Sequence, residues 1–316
     1  MPSINAARTS IVSHVDIHNM IAKRAYGHTG LMVSAVGLGA GQIGDAQLDE
    51  ADVDHLLNAA IDDGVTLIDT APSYGLSEAR IGRCLAARRG DYVLSTKLGY
   101  GVAGIENWTG PCITAGIEQA LRVMHTDRLD IAHLHSCPHS TLARGDVIDA
   151  LERAKRDGKI RAMAYSGEND DLAYALDCGR FDGFMASLNI CDQRVIDTVL
   201  PKLAGKGFIA KRPSANHPWR FDASPVGDYC ETYWHRWRAM YPLRREHLWG
   251  AATWGEIAIR FALSARAVSS AIVGTGRLAH LQQNIRWAQA GTLDAAWLTE
   301  LRAQFQAHDH DWIGQI

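Results

Sequence analysis

The sequence predicts an α/β fold, a (β/α)8 barrel, from three observations. Short apolar runs alternate along the chain with segments of helical period, the order expected of a parallel sheet wrapped by helices. Eight such runs occur, at 34–39, 66–69, 92–96, 131–135, 160–165, 183–188, 207–210 and 269–273, and eight strand–helix units suit a closed barrel better than an open sheet. The length, 316 residues, agrees: barrels of this kind run to ~250 residues or more as one unit, so no second domain is required.

After the first run, Val53, Leu56, Leu57, Ala60 and Ile61 recur at i, i+3, i+4, i+7 and i+8, one apolar stripe on a helix that Asp49 caps and Gly64 ends. Ile117, Ala120, Leu121 and Met124 repeat the pattern, as do Val195, Ile196, Val199, Leu200 and Leu203. Two segments depart from the rhythm. Residues 212–250 are too long for a simple connection and carry Trp219, Tyr229, Tyr233, Trp234, Trp237, Tyr241 and Trp249, with a helix expected over 231–240. The other is a C-terminal tail from about residue 290. Residues 1–23 read as an N-terminal extension and 24–316 as a single barrel domain.

Composition narrows the function classes. At 47% hydrophobic and 21% charged, the chain can bury a large core. A net charge of −3 gives no reason to expect a nucleic-acid partner. The six cysteines at 84, 112, 137, 178, 191 and 230 form no CxxC pair or disulfide framework, so reduced thiols and a cytoplasmic location are expected. No apolar stretch reads as a signal-peptide core or a membrane span, and nothing signals an oligomeric state.

Three motifs have plain explanations. Gly39, Gly41 and Gly44 satisfy GxGxxG, with Asp62 near the spacing of a ribose-binding acid, but the helical stripe starts well past Gly44, which makes the glycines a loop. His133, His135, Cys137 and His139 look like metal ligands, yet alternation along a strand puts His133 and His135 on one inner face without any metal. His308 and His310 read as a solvated segment. No metal is expected.

Four other residues fall just past or at the ends of three consecutive apolar runs. Asp69 and Tyr74 lie in Leu67-Ile-Asp-Thr-Ala-Pro-Ser-Tyr-Gly75, Lys97 ends Val93-Leu-Ser-Thr-Lys97, and His135 ends Leu129-Asp-Ile-Ala-His-Leu-His135. Strand ends of a parallel barrel converge on one rim, so the four meet despite their separation in sequence. A free phenol is a weak acid, pKa ~10, and an ammonium beside it stabilises the phenolate. Lys97 supplies that charge, Asp69 holds it in place, and His135 orients a carbonyl oxygen or relays the proton.

The motif Asp-Thr-Ala-x-x-Tyr-Gly-x-Ser-Glu at 69–78, with Gly-His-Thr-Gly-Leu-Met-Val-Ser at 27–34, Gly37-Leu38-Gly39 and the run from Ile272 to Asn284, resembles the aldo-keto reductases. The resemblance spans roughly residues 24–290. It implies a TIM barrel whose C-terminal tail folds over the mouth, and NADPH-dependent reduction of an aldehyde or ketone with Tyr74 as the acid. It also implies that Gly274, Thr275, Gly276, Arg277, His280, Gln283 and Asn284 hold the adenine ribose and its 2′-phosphate. Arg277 favours NADPH; His280 and Gly274 stand where many members carry arginine and lysine, which keeps NADH open. At the nicotinamide end only Ser166 matches. Gly167, Met185 and Lys211 replace the family's asparagine, glutamine and stacking aromatic, leaving Lys211 and Arg212 to neutralise the pyrophosphate. Trp108, Trp219 and Trp312 are candidates for the substrate wall. The alternatives are a dehydrogenase of alcohols or sugars running the same steps backwards, a nucleotide-binding regulatory module, and a lyase or isomerase on the same barrel.

Overall fold

Inward and outward residues alternate along eight parallel strands, and that alternation fixes what fills the barrel and what faces its mouth. In a computed structural model describing residues 21–242 and 252–316, a hairpin of β1 (Lys23–Ala25) and β2 (Met32–Ser34) precedes the barrel strands. These are β3 (Val36–Gly39), β4 (Leu67–Asp69), β5 (Val93–Leu98), β6 (Leu129–His135), β7 (Ile160–Ser166), β8 (Gly183–Ser187), β9 (Gly207–Lys211) and β10 (Ser270–Gly274). They close in the order β10-β3-β4-β5-β6-β7-β8-β9. The expected extension falls largely on residues 1–20, outside the described residues, while Lys23 already belongs to β1. Trp249 of the long segment also lies outside them.

Leu67, Val93, Ile131, Ala162, Ala164, Met185, Ile209 and Ile272 form one buried cluster inside the barrel. Their strand neighbours, among them Ile68, Leu94, Ala132 and Met163, pack outward in a second, larger cluster under the helices. Strands buried on both faces are near-continuously apolar, which is why they read as runs in the sequence.

The hairpin plugs the N-terminal end of the barrel. Tyr26, Leu31 and Val33 belong to the interior cluster, and Tyr26 fits only because two strands begin with glycine. A Cβ on Gly183 would sit 2.1 Å from the Tyr26 hydroxyl, and one on Gly207 would sit 2.3 Å from its ring.

The helices are α1 (Glu50–Asp62), α2 (Ser77–Leu85), α3 (Gly110–Val123), α4 (His139–Arg144), α5 (Asp146–Arg156), α6 (Asn169–Asp177), α7 (Val195–Thr198), α8 (Glu231–Met240), α9 (Trp254–Ser264), α10 (Leu278–Gln289) and α11 (Ala295–His308). Asp49 caps α1 by accepting from the amides of Ala51 and Asp52, and Gly64 follows its end at φ +91°. The expected helix over 195–203 is shorter than its stripe. Pro201 lacks the amide a continuing helix needs, so α7 stops after one turn and a 3-10 turn follows over Leu200–Lys202. Val195, Val199 and Leu203 are still buried.

The segment after α11 lies against the loops at the barrel mouth. The Gly314 amide donates to Asn169 Oδ1 at 2.6 Å, Asn169 Nδ2 returns a bond to the Gly314 carbonyl at 3.0 Å, and Arg236 Nη2 donates to the Ile313 carbonyl at 2.6 Å. Arg212 bonds the Gln315 carbonyl. Among the described residues, no helix is long and apolar enough to cross a membrane.

Candidate active site

Strand parity delivers the site. Val93, an inward residue, is followed two and four positions on by Ser95 and Lys97, and Ile131 by His133 and His135. Leu67 leads in the same way to Asp69, Ala164 to Ser166, Met185 to Ser187 and Ile209 to Lys211. Each apolar layer of the interior is thus topped by a polar one.

Lys97 and Asp69 are almost fully buried and paired at 2.6 Å. Lys97 Nζ also donates to the Thr70 carbonyl at 2.9 Å, and Ser95 Oγ donates to the second Asp69 oxygen at 2.7 Å. The ammonium stands 4.8 Å from the centre of the Tyr74 ring. Burial pulls the Lys97 pKa down, but Asp69 and the Tyr74 phenol outweigh it and the net shift is upward. Lys97 is therefore a fixed cation.

The loop holding Tyr74 is shaped by glycines. A Cβ on Gly44 would lie 1.7 Å from the Tyr74 carbonyl oxygen, and one on Gly75 (φ +54°) would lie 2.5 Å from the Gly44 oxygen, so these backbones touch where only hydrogen atoms fit. Gly41 lies against the face of the Tyr74 ring. The GxGxxG motif seats a tyrosine. The remaining residues of the 69–78 motif are tied down as well: Ser77 Oγ donates to the Ala40 carbonyl at 2.7 Å, and Thr96 Oγ1 donates to Glu78 at 2.6 Å.

His135 stands with its ring centre 6.1 Å from that of Tyr74, edge to face. Burial, with Lys97 and Lys211 nearby, lowers its pKa to about 3. Beneath it His133 is driven well below the ordinary value for the same reasons, burial first and Lys97 next. His217, on the opposite loop, falls to about 4 through burial and Arg220. A neutral imidazole at His135 can donate one hydrogen bond and accept one.

These shifts carry a consequence for stability. The unfolded chain protonates histidine near pH 6.5, while the folded state resists until about pH 3–4, so stability present at neutral pH is lost as pH falls between those values. Each histidine contributes a slope of up to about 1.4 kcal/mol per pH unit. Burial works in the opposite sense on Asp192, raised to about 6, and on Glu78, also raised; both take up a proton more readily folded than unfolded and offset part of the loss. Three groups against two leave a net decline. The thermal midpoint is expected to fall between pH 6.5 and 4.5, and a midpoint that stays flat or rises there in a calorimetric pH series would refute the assignment of neutral buried histidines.

One groove of about 1460 Å³ is lined by the four residues of the acid site and by Ser166, Lys211, Arg212, Gly274, Thr275, Gly276, Arg277, His280, Gln283 and Asn284. It exceeds the ~300–1,000 Å³ of ordinary small-molecule sites and has room for a dinucleotide. Ser166 Oγ and Asn284 Oδ1 are buried polar atoms of residues on its wall without a hydrogen-bond partner among the described residues, a costly condition unless a ligand satisfies them. Lys211 pairs with the buried Glu168 at 3.1 Å, and Glu168 also accepts from the Ser187 amide at 2.8 Å. Arg212 bonds Ser187 Oγ at 3.2 Å and lies 4.7 Å over the Tyr229 ring. Gly167 has a physical reason to lack a side chain: a Cβ there would come within 2.6 Å of the Tyr165 ring, whose hydroxyl is anchored on the Cys137 carbonyl at 2.9 Å.

Of the three tryptophans expected on the substrate wall, Trp219 lines the groove and the other two do not. Trp108 stands behind Tyr100, ring centres 5.8 Å apart, filling the space over Gly99. Trp312 packs on Phe305 at 5.7 Å and under the Arg236 guanidinium at 5.1 Å, leaving Ile316 to face the groove. Tyr100 and Glu168 gave no signal in the sequence, since one is an aromatic among loop glycines and the other a carboxylate far from its lysine. Among the described residues, no three His, Cys, Asp or Glu side chains gather so as to hold a metal ion, and His139 packs against Tyr174, ring centres 4.1 Å apart and planes tilted by 32°. All six cysteines are free thiols.

The model of the aldo/keto reductase family matches residues 35–304. The chain belongs to that family. It is an NAD(P)H-dependent oxidoreductase on a TIM barrel. This aldo-keto reductase is 28% identical over 289 residues to the L-galactose dehydrogenase of Arabidopsis thaliana, covering 84% of this chain and 87% of the relative. It is 27% identical over 300 residues to a D-threo-aldose 1-dehydrogenase of a Pseudomonas species, covering 82% and 90%. An aldo-keto reductase from Bacillus halodurans, solved in its holo form, shares the fold at TM-score 0.78, with 24% identity over 90% of this chain and 96% of that one.

Proposed function

We propose that this aldo-keto reductase transfers hydride from NADPH to the carbonyl carbon of an aldehyde or ketone, with Tyr74 protonating the oxygen. The observation that carries this is the buried Asp69–Lys97 pair set under the Tyr74 ring, next to neutral His135, in a groove of dinucleotide size. The nicotinamide supplies the hydride. The protein supplies the proton and its placement. Lys97, kept charged by Asp69, stabilises the phenolate left as Tyr74 gives up its proton, and His135 holds the reacting oxygen against the hydroxyl.

The residues fit the cofactor unevenly. Ser166 Oγ suits a carboxamide and Asn284 an adenine edge, while Gly274, Gly276 and the start of α10 offer backbone donors to an anion. Arg277 precedes α10 on the groove wall and suits a 2′-phosphate, with NADH as the alternative cofactor. Lys211 already has a carboxylate partner in Glu168, which weakens its case as a pyrophosphate ligand and leaves Arg212 the better candidate. A cytoplasmic setting and a small-molecule partner accompany this reading.

Titrating tryptophan fluorescence with NADPH and NADH, followed by a carbonyl panel read by nicotinamide absorbance, tests it. Binding without turnover on any carbonyl or alcohol would favour a regulatory module, and binding of neither dinucleotide a lyase or isomerase. Arg277→Ala should weaken NADPH by roughly tenfold or more, the value of a charge-assisted contact, and leave NADH unchanged. Equal loss for both would place the phosphate elsewhere. A second reading, oxidation of a sugar by the same steps reversed, is favoured by the two relatives named as sugar dehydrogenases. Aldoses with NADP⁺ or NAD⁺ in the same assay separate the directions.

A further inference from the structure

Tyr100 follows Lys97 by three residues and lines the groove, but it is no part of the acid site as derived above. Its hydroxyl is hydrogen-bonded to His135 Nδ1, its ring is stacked on the imidazole with centres 5.5 Å apart and planes 26° from parallel, and Ser73 Oγ lies 3.2 Å from the same hydroxyl. No described residue bonds His135 Nε2, which is left to the groove.

Two proton arrangements satisfy this chain of three groups. In one, Ser73 donates to Tyr100, Tyr100 donates to Nδ1, and the imidazole carries its proton on Nε2. In the other, Nδ1–H donates to Tyr100, Tyr100 donates to Ser73, and Nε2 is a bare acceptor. Chemistry favours the first. A phenol is a far stronger acid than a neutral imidazole N–H, and an imidazole nitrogen is a better acceptor than a phenol oxygen. We propose that Tyr100 is a positioning residue that fixes His135 as the Nε2–H tautomer, so that the imidazole meets a substrate oxygen as a hydrogen-bond donor. The inference deepens the carbonyl-reduction reading and rests on it for its catalytic consequence. The tautomer itself is independent of any substrate.

That independence shapes the test. Long-range proton–nitrogen NMR of protein labelled with ¹⁵N-histidine, with the His135 signals assigned by His135→Gln, reads the tautomer directly. The wild-type protein should show His135 protonated on Nε2 alone. Tyr100→Phe keeps the stacked ring and removes the hydroxyl; it should give averaged, mixed-tautomer shifts and a kcat about tenfold lower, the effect of one oriented hydrogen bond, with cofactor Kd and KM little changed. A wild-type imidazole protonated on Nδ1, or a Tyr100→Phe protein with unaltered His135 shifts or unaltered kcat, would overturn the proposal. Absence of turnover in wild-type protein would instead count against carbonyl reduction, while the NMR result would still decide the tautomer.

Discussion

Tyr74→Phe should lower kcat for carbonyl reduction by about 10²–10⁴-fold, the usual contribution of a positioned general acid. The substitution is close to the smallest the site allows. The ring stays on its seat against Gly41, and the Lys97 ammonium keeps an aromatic face at the distance it has now, 4.8 Å from the ring centre. Fold, cofactor affinity and groove shape should therefore be retained, and only the O–H proposed to protonate the carbonyl oxygen is lost. Single-turnover kinetics with premixed enzyme and NADPH isolates the chemical step from product release, which could otherwise mask the loss. A variant that reduces its substrate at the wild-type rate would remove Tyr74 from the chemistry and return the search for the acid to other donors along the groove, Tyr100 among them.

The barrel was legible in the sequence because its determinants are local. All eight runs became strands with ends shifted by two residues or fewer, since parallel strands covered on both faces must be apolar without interruption. Asp69, Lys97 and His135 were legible for a related reason: a charged or polar side chain closing such a run is costly unless it points into a mouth where other strand ends converge. The hairpin plug was not. Its strands are three residues each, too short for a period, and its burial depends on Gly183 and Gly207, more than 150 residues away. Side-chain direction in loops was equally hidden. Trp108 turns away from the groove through a backbone at φ +61°, a conformation that no alternation rule anticipates for tryptophan. The Glu168–Lys211 pair escaped notice because its partners sit on different barrel strands' ends, joined only once the sheet closes.

Lys97→Met should destabilise the fold by about 3–5 kcal/mol, through Asp69 more than through the lysine itself. The Asp69 carboxylate is 1% exposed, and its remaining partner, Ser95 Oγ, is neutral. Deleting the ammonium leaves a buried charge whose desolvation nothing repays. Removing both charges is a different matter, because a methionine beside an amide asks little of the surrounding protein. The double variant Asp69→Asn with Lys97→Met should accordingly recover most of the lost stability, and a double-mutant cycle in urea would report a coupling energy of several kcal/mol. If Lys97→Met instead costs no more than a surface substitution, or the double variant is no more stable than the single, then the ammonium is not what compensates the carboxylate, and the proposed support of Lys97 for a phenolate at Tyr74 goes with it.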